Sequence, residues 1–199
     1  MRKFIISGLI STLAMLFAVT ACDNNYTPKP RGYFRINLPE HEYAKFDTNY
    51  PFSFEYSKYS VIEPDNEGDA ERYWINIVYP NLRSKIHISY KKVDNNLYNY
   101  LEDAYQMVNK HMQKASGISD SLFVDKDREV YGITYRIDGI GAASPYQFVL
   151  TDSTSNFLRG ALYFYVRPNN DSLAPVIDYI EKDIEHMINT LQWKEVKNK

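Results

Sequence analysis

The chain has 199 residues, 23 of them basic and 25 acidic, with a formal net charge of −2 and a single cysteine. One cysteine excludes an internal disulfide framework, and the slight acidic excess argues against a nucleic-acid surface, which requires a basic face. The length suits one domain with a sizeable core.

Residues 1–21 read as an export signal. Arg2 and Lys3 give a positive start, Phe4 to Val19 carries no charge, and Val19-Thr20-Ala21-Cys22 is a lipobox. The apolar stretch falls short of the ~20 residues a spanning helix needs. Small residues beside the cut admit a peptidase, and the Cys22 thiolate takes a diacylglycerol as a thioether. The competing reading is an ordinary secretory signal or an uncleaved anchor. The lone cysteine favours lipidation, since it has no disulfide partner. Acyl burial contributes about 0.8 kcal/mol per methylene and one chain holds only marginally, so two or three chains make a durable anchor. Removing residues 1–21 takes two basic residues and no acid, leaving 178 residues with a formal charge of −4.

Residues 22–39 read as a lipidated tether that ends in a docking segment. Pro28-Lys29-Pro30 favours extended backbone. Arg31-Gly32-Tyr33-Phe34-Arg35-Ile36 sets three large apolar side chains between and beside two arginines. Either these side chains pack onto the domain, or Arg31, Tyr33, Phe34 and Arg35 form a surface reserved for a partner.

Residues 40–199 read as a single α+β domain. Phe52-Ser53-Phe54-Glu55-Tyr56 alternates as a half-buried strand does. Tyr59–Ile62, Tyr73–Tyr79 and Lys85–Tyr90 are further strands, with a polar turn at residues 65–69 and Pro80-Asn81 joining the last two. Leu97, Leu101, Ala104, Tyr105, Val108 and Met112 then recur at helical steps. Asp94, Asn95 or Asn96 caps the start of this helix, and Gly117 stops it after Ala115. A second strand set follows at Leu122–Val124, Val130–Asp138, Tyr146–Thr151 and Phe157–Val166, linked by turns at 125–127, 139–141 and 152–154. A closing helix spans Leu173 to Gln192, with Ser172 as N-cap and Pro175 in the first turn. Its apolar face is Val176, Ile177, Ile180, Ile184, Met187, Ile188 and Leu191. Glu181, Lys182, Asp183 and Glu185 take the other face, and Trp193 closes the helix onto the core.

Short turns between consecutive strands imply antiparallel pairing, with two long amphipathic helices covering the sheet faces. The order resembles the Mog1/PsbP-like fold, an α/β/α sandwich; that likeness is topological and does not fix function.

The search for chemistry turns up no catalytic, metal or cofactor site. His41, His87, His111 and His186 are scattered, without the three or four ligands that a zinc site needs. Ser144 lacks a Gly-x-Ser-x-Gly elbow. Gly139-Ile140-Gly141 joins two strands with no helix after it to hold an anion, so it reads as a hairpin turn. Asp120, Asp125, Asp127 and Asp138 read as solvated loop acids. The expectation is a protein that is not an enzyme. The 18 Tyr, 10 Phe and 2 Trp are the remaining conspicuous feature. Tyr98, Tyr100, Tyr105, Tyr163 and Tyr165 cannot all face one core, so some tyrosine surface is expected outside.

The run Tyr26 to Pro39 just after the lipobox cysteine, Phe52 to Tyr56 and the closing Leu191-Gln192-Trp193 resemble the GldD family of gliding-motility lipoproteins, over essentially the whole chain. The resemblance implies a cell-envelope lipoprotein needed for gliding and the associated type IX protein secretion system, with no catalytic residues to transfer. The resulting expectation is a non-enzymatic assembly or scaffold role, with acyl chains on Cys22 in a membrane and other motility or secretion proteins as partners. The alternative is a periplasmic lipoprotein binding a small ligand or glycan through aromatic residues. A periplasm-facing position is expected, the outer membrane favoured over the inner. Asp23 after Cys22 signals inner-membrane retention in enterobacterial sorting, a rule that need not hold in gliding bacteria.

Overall fold

Alternation along the strands builds the domain. In β5 (Ser84–Lys92), Ile86, Ile88 and Tyr90 are buried on one face, while Lys85, His87, Ser89 and Lys91 point to the other. The computed structural model describes residues 36–166 and 168–196. The remaining elements are β1 (Tyr43–Phe46), β2 (Phe52–Ser57), β3 (Val61–Pro64), β4 (Ile75–Tyr79), α1 (Leu97–Asn109), β6 (Gly117–Asp125), β7 (Val130–Asp138), β8 (Tyr146–Thr151), β9 (Asn156–Phe164), α2 (Asn170–Thr190) and β10 (Gln192–Trp193).

Seven strands form one sheet in the order β3-β4-β5-β9-β8-β7-β6, and a small sheet runs β1-β2-β10. The pairs are antiparallel, as the short turns predict. The inner face of the large sheet carries the main core. Ile86, Ile88, Phe148, Leu150, Leu158 and Leu162 pack there with Phe52 and Phe54 of β2 and with Ile180, Ile184 and Ile188 of α2. Helix α1 covers part of the outer face: Ala104 packs with Val149 and Phe157, and Val108 packs with Ile137 and Ala142. The fold is thus mixed α+β, antiparallel, with a helix on each face.

Several boundaries differ from the sequence expectation for local reasons. Tyr43–Phe46 gave no alternation signal, yet it pairs with β2 at Tyr43↔Ser57 through Phe46↔Phe54. Helix α1 ends at Asn109, and Met112 lies past it, 62% exposed, with Gly117 opening β6 instead of capping the helix. Asn96 is the N-cap by position but makes no cap hydrogen bond; its Oδ1 accepts from the Asp94 N–H at 2.9 Å. Helix α2 starts at Asn170, so Pro175 stands inside it and not in its first turn. Residues 192–193 leave the helix and pair with Ser53 and Phe52. The C-terminus of α2 has no basic residue in its last turn. Arg128, from the β6–β7 turn, donates instead to the Ile188 and Leu191 carbonyls at 3.2 and 2.7 Å, meeting the unpaired carbonyls and the negative end of the helix dipole.

Two features of the β8–β9 hairpin are open to test. Gly160 sits across from Phe148, and a Cβ at Gly160 would lie 2.0 Å from the ring Cζ of that fully buried side chain. The ring fills the space that a side chain would need. Gly160→Ala is expected to destabilise the fold by about 2–3 kcal/mol through overpacking, read as a lower urea midpoint; an unchanged midpoint refutes the close approach. The turn itself is held by Asp152, whose Oδ1 accepts the Thr154, Ser155 and Asn156 N–H groups at 2.9, 2.8 and 2.9 Å. Burial opposes ionisation of Asp152, but these donors and the Asn156 side chain outweigh it and hold its pKa below the ordinary 3.8. A depressed folded pKa gives stability that is present above the unfolded value and lost as pH falls through the folded one. The stability gap between wild type and Asp152→Ala should therefore be flat from neutral pH to about 5 and shrink below about 4. A gap independent of pH would exclude this role.

Candidate functional site

The strongest cluster of titratable groups forms where the N-terminal segment meets α2. Helical periodicity places Asp183 in the same stripe as Val176, Tyr179, Ile180, Ile184 and Met187, all buried. Asp183 therefore does not lie on the solvent face with Glu181, Lys182 and Glu185, where polarity alone places it; it is 2% exposed. A buried carboxylate requires donors. His41 supplies one, its Nδ1 lying 2.7 Å from Asp183 Oδ1. The Tyr79 hydroxyl, at the end of β4, donates to Oδ2 at 3.0 Å. Burial, then the Asp183 charge, raises the Tyr79 phenol above its ordinary value and pushes Tyr43 up to about 12.

Aromatic stacking extends the cluster. The His41 ring stacks on Tyr179 at 4.3 Å, and Tyr43 stacks on His186 at 3.5 Å with the planes 8° apart. His186 Nε2 in turn meets Glu55 Oε2 of β2 at 2.7 Å. The Glu55 N–H donates to Thr190 Oγ1 at 3.0 Å, and Thr190 donates to the His186 carbonyl at 2.9 Å. The segment just after the tether, the small sheet and α2 are thereby fastened together. Leu38, immediately upstream, packs against the main core.

A histidine oriented by a buried carboxylate is half of a nucleophilic site. The other half is a hydroxyl or thiol on the second imidazole nitrogen. Among the described residues, His41 has no such side-chain partner, and the arrangement works as a clasp. No group of three or more His, Cys, Asp or Glu side chains that could hold a metal ion occurs among the described residues.

The residues expected to carry attachment and partner binding, Cys22, Arg31, Tyr33, Phe34 and Arg35, lie outside the described residues. Of the singled-out tyrosines, Tyr98, Tyr105 and Tyr165 are 76%, 51% and 54% exposed. Tyr100 and Tyr163 instead line a cleft of about 330 Å³ between α1 and the outer sheet face. A second cleft, of about 340 Å³, opens beside α2 between Phe123 of β6 and Glu181. There Arg136 of β7 binds Asp178 at 2.8 Å and also pairs with Glu181. Burial raises the Glu181 pKa, with Arg136 opposing. Asp120 is exposed and Asp125 pairs with Arg128 at 2.8 Å, so the loop acids do not converge.

Fold and site together define an antiparallel α+β domain whose N-terminal segment is clasped to its closing helix. The family model described as gliding motility lipoprotein GldD matches residues 23–193, and the chain belongs to that family. Membership makes it a motility-related lipoprotein held to a membrane of the cell envelope. Among the described residues no helix is long and apolar enough to cross a membrane. No curated protein matches the chain. Among solved structures, the solution structure of cyanobacterial PsbP (CyanoP) from Synechocystis sp. PCC 6803 is similar, with a TM-score of 0.48 and 11% identity over 81% of this chain and 98% of that one.

The clasp makes a direct prediction. Asp183→Ala removes the acceptor of His41 and Tyr79, and loss of one partner from a buried polar cluster costs roughly 3 kcal/mol. His41→Ala, which leaves Tyr79 on the carboxylate, should cost less. Urea unfolding of both variants checks the order; equal, negligible effects would mean that the cluster holds nothing.

Proposed function

We propose that this protein is a membrane-anchored, non-enzymatic adaptor in assembly of the gliding motility and type IX secretion machinery. Residues 1–21 are its cleaved signal, residues 22–39 its lipidated tether and residues 40–199 its working domain. Acyl chains on Cys22 hold it in the membrane, with the domain facing the periplasm and the outer membrane the favoured location. Arg31, Tyr33, Phe34 and Arg35 supply the first contact surface for a partner protein.

The observation that carries this reading is the clasp at His41. A tether of about 17 extended residues could reach about 55 Å, yet its end is fastened to the domain by Leu38, packed against the core, and by His41 on Asp183. A fixed exit direction suits a part that presents one side to an assembly. The family match supports the motility context.

The test is genetic and biochemical. Replacing Arg31, Tyr33, Phe34 and Arg35 together with alanine should impair gliding or secretion to nearly the level of a gene deletion while the protein accumulates normally. Full activity of that variant removes the tether surface from the mechanism. Cys22→Ser should abolish labelling by a palmitate analogue, and persistent labelling would rule out acylation there.

A further inference from the structure

The two edges of the seven-stranded sheet are built differently. Strand β3, at one edge, has four residues and ends in Pro64, so it offers little to a further strand. Strand β6, at the other edge, has nine residues, Gly117–Asp125, without proline, lysine or arginine. All nine pair with β7 in an unbroken register, so no bulge bends this edge away. Every second residue of an antiparallel edge strand turns its N–H and C=O away from its neighbour. Among the described residues no other backbone group meets that side of β6, and none of its residues is buried. An edge this long and regular is a template for one more strand.

The two faces of β6 differ in chemistry. Phe123 packs against the main core, so alternation sets Ser119 and Ser121 beside it on the inner face. Ile118 packs with Val108 and Ile137 near α1, which puts Leu122 and Val124 on the outer face, where they are 74% and 60% exposed. The cleft of about 340 Å³ beside α2 follows this edge: Ser119 to Phe123 form one wall, and Glu181 and Glu185 belong to the other. A strand added about 4.8 Å outside β6 would lie along it. Arg136 is the cation of the cleft, and it is already shared among Asp138, Asp178 and Glu181. Glu185 is exposed and forms no ion pair among the described residues. The inner side thus sets these four carboxylates against one guanidinium, and neither Lys126 nor Lys182 lines the cleft.

We propose that β6 receives an extended segment of a partner protein as an eighth strand, with basic side chains at alternate positions over the cleft and apolar ones beside Leu122 and Val124. The open backbone groups supply the pairing, and the two faces select the sequence. Basic residues answer the excess of carboxylates on the inner side, and apolar residues cover the exposed pair on the outer side. A second copy pairing through its own β6 would bring both sets of carboxylates together with no further cation, which is unfavourable. A lipid surface offers no strand to the open N–H and C=O groups. The edge uses none of Arg31, Tyr33, Phe34 and Arg35, so its failure would leave the adaptor reading untouched.

Amide hydrogen exchange, read by NMR on the unlipidated mature-length chain (residues 22–199 with Cys22→Ser), reports an added strand directly. The probe is a capped peptide alternating lysine and valine, matched in length to β6. A glutamate–valine peptide and a peptide with its lysines and valines in separate blocks are the controls. The alternating lysine–valine peptide should slow exchange at alternate β6 amides, those turned away from β7, by about tenfold or more, and leave β3 unchanged. The controls should bind at least about tenfold more weakly. Glu185→Lys and Ser121→Lys change exposed side chains on the two walls of the cleft. Each should weaken binding by about tenfold, and either carries the test if the other does not fold. No protection in β6, an equal response to a control peptide, or unchanged binding in the folded variants would each overturn the proposal. So would self-association of the chain alone, or its binding to phosphatidylglycerol vesicles, if it protects the same amides.

Discussion

The structure depends on one carboxylate placed where side chains are otherwise apolar. Asp183, with its side chain 1% exposed, cannot stay charged in the core without close donors. Those donors come from His41 just past the tether and Tyr79 at the end of the fourth strand. The requirement therefore reaches across three elements distant in sequence. An apolar residue at position 183 would pack equally well against many arrangements of these neighbours; a carboxylate tolerates only those that bring an N–H or O–H to it. The His186–Glu55 pair one turn further along α2 is half-exposed, unlike Asp183, and links β2 to the helix. The chain after α2 turns back to pair with the same strand at Ser53 and Phe52.

The two faces of the large sheet answer different demands. The inner face is closed by α2 and β2, and its side chains are nearly all apolar. The outer face is closed only where α1 lies, over the β7–β9 side, because α1 has 13 residues and cannot span seven strands. Beyond its reach the sheet turns polar, and the loop carrying Asp65, Glu67 and Glu71 lends carboxylates to His87, Lys85 and Lys91. Such pairs at a half-exposed surface contribute little stability. Two of them neutralise the cations Lys85 and Lys91, while Arg159 forms no ion pair among the described residues.

Period and punctuation made most of the architecture legible. The strands at Val130–Asp138 and Tyr146–Thr151 have the boundaries that alternation and turns imply, and both helices show as apolar stripes. The misses follow from tertiary effects. Strand β1 has only four residues, Tyr-Ala-Lys-Phe, and exists because β2 offers it a partner. Asp183 sits at a stripe position, four residues after Tyr179 and four before Met187, so its spacing pointed inward while its polarity pointed outward. Spacing was the better guide, since a helix face cannot turn one residue away. That pairing sets Asn76, His87 and Gln147 in one row on the outer face was out of reach for a different reason. Register between strands far apart in the chain decides which polar side chains stand together, and a single sequence does not display it.

The clasp and the cleft beneath α1 belong to opposite sides of the same sheet. Fastening a tether needs a rigid, desolvated cluster, and the inner side supplies it through α2. Strand β9 shows how closely the two are stacked: Gly160 yields its inner side to the Phe148 ring, and Arg159 and Tyr163 line the outer cleft. One strand thus carries close core packing on one side and part of a cleft wall on the other.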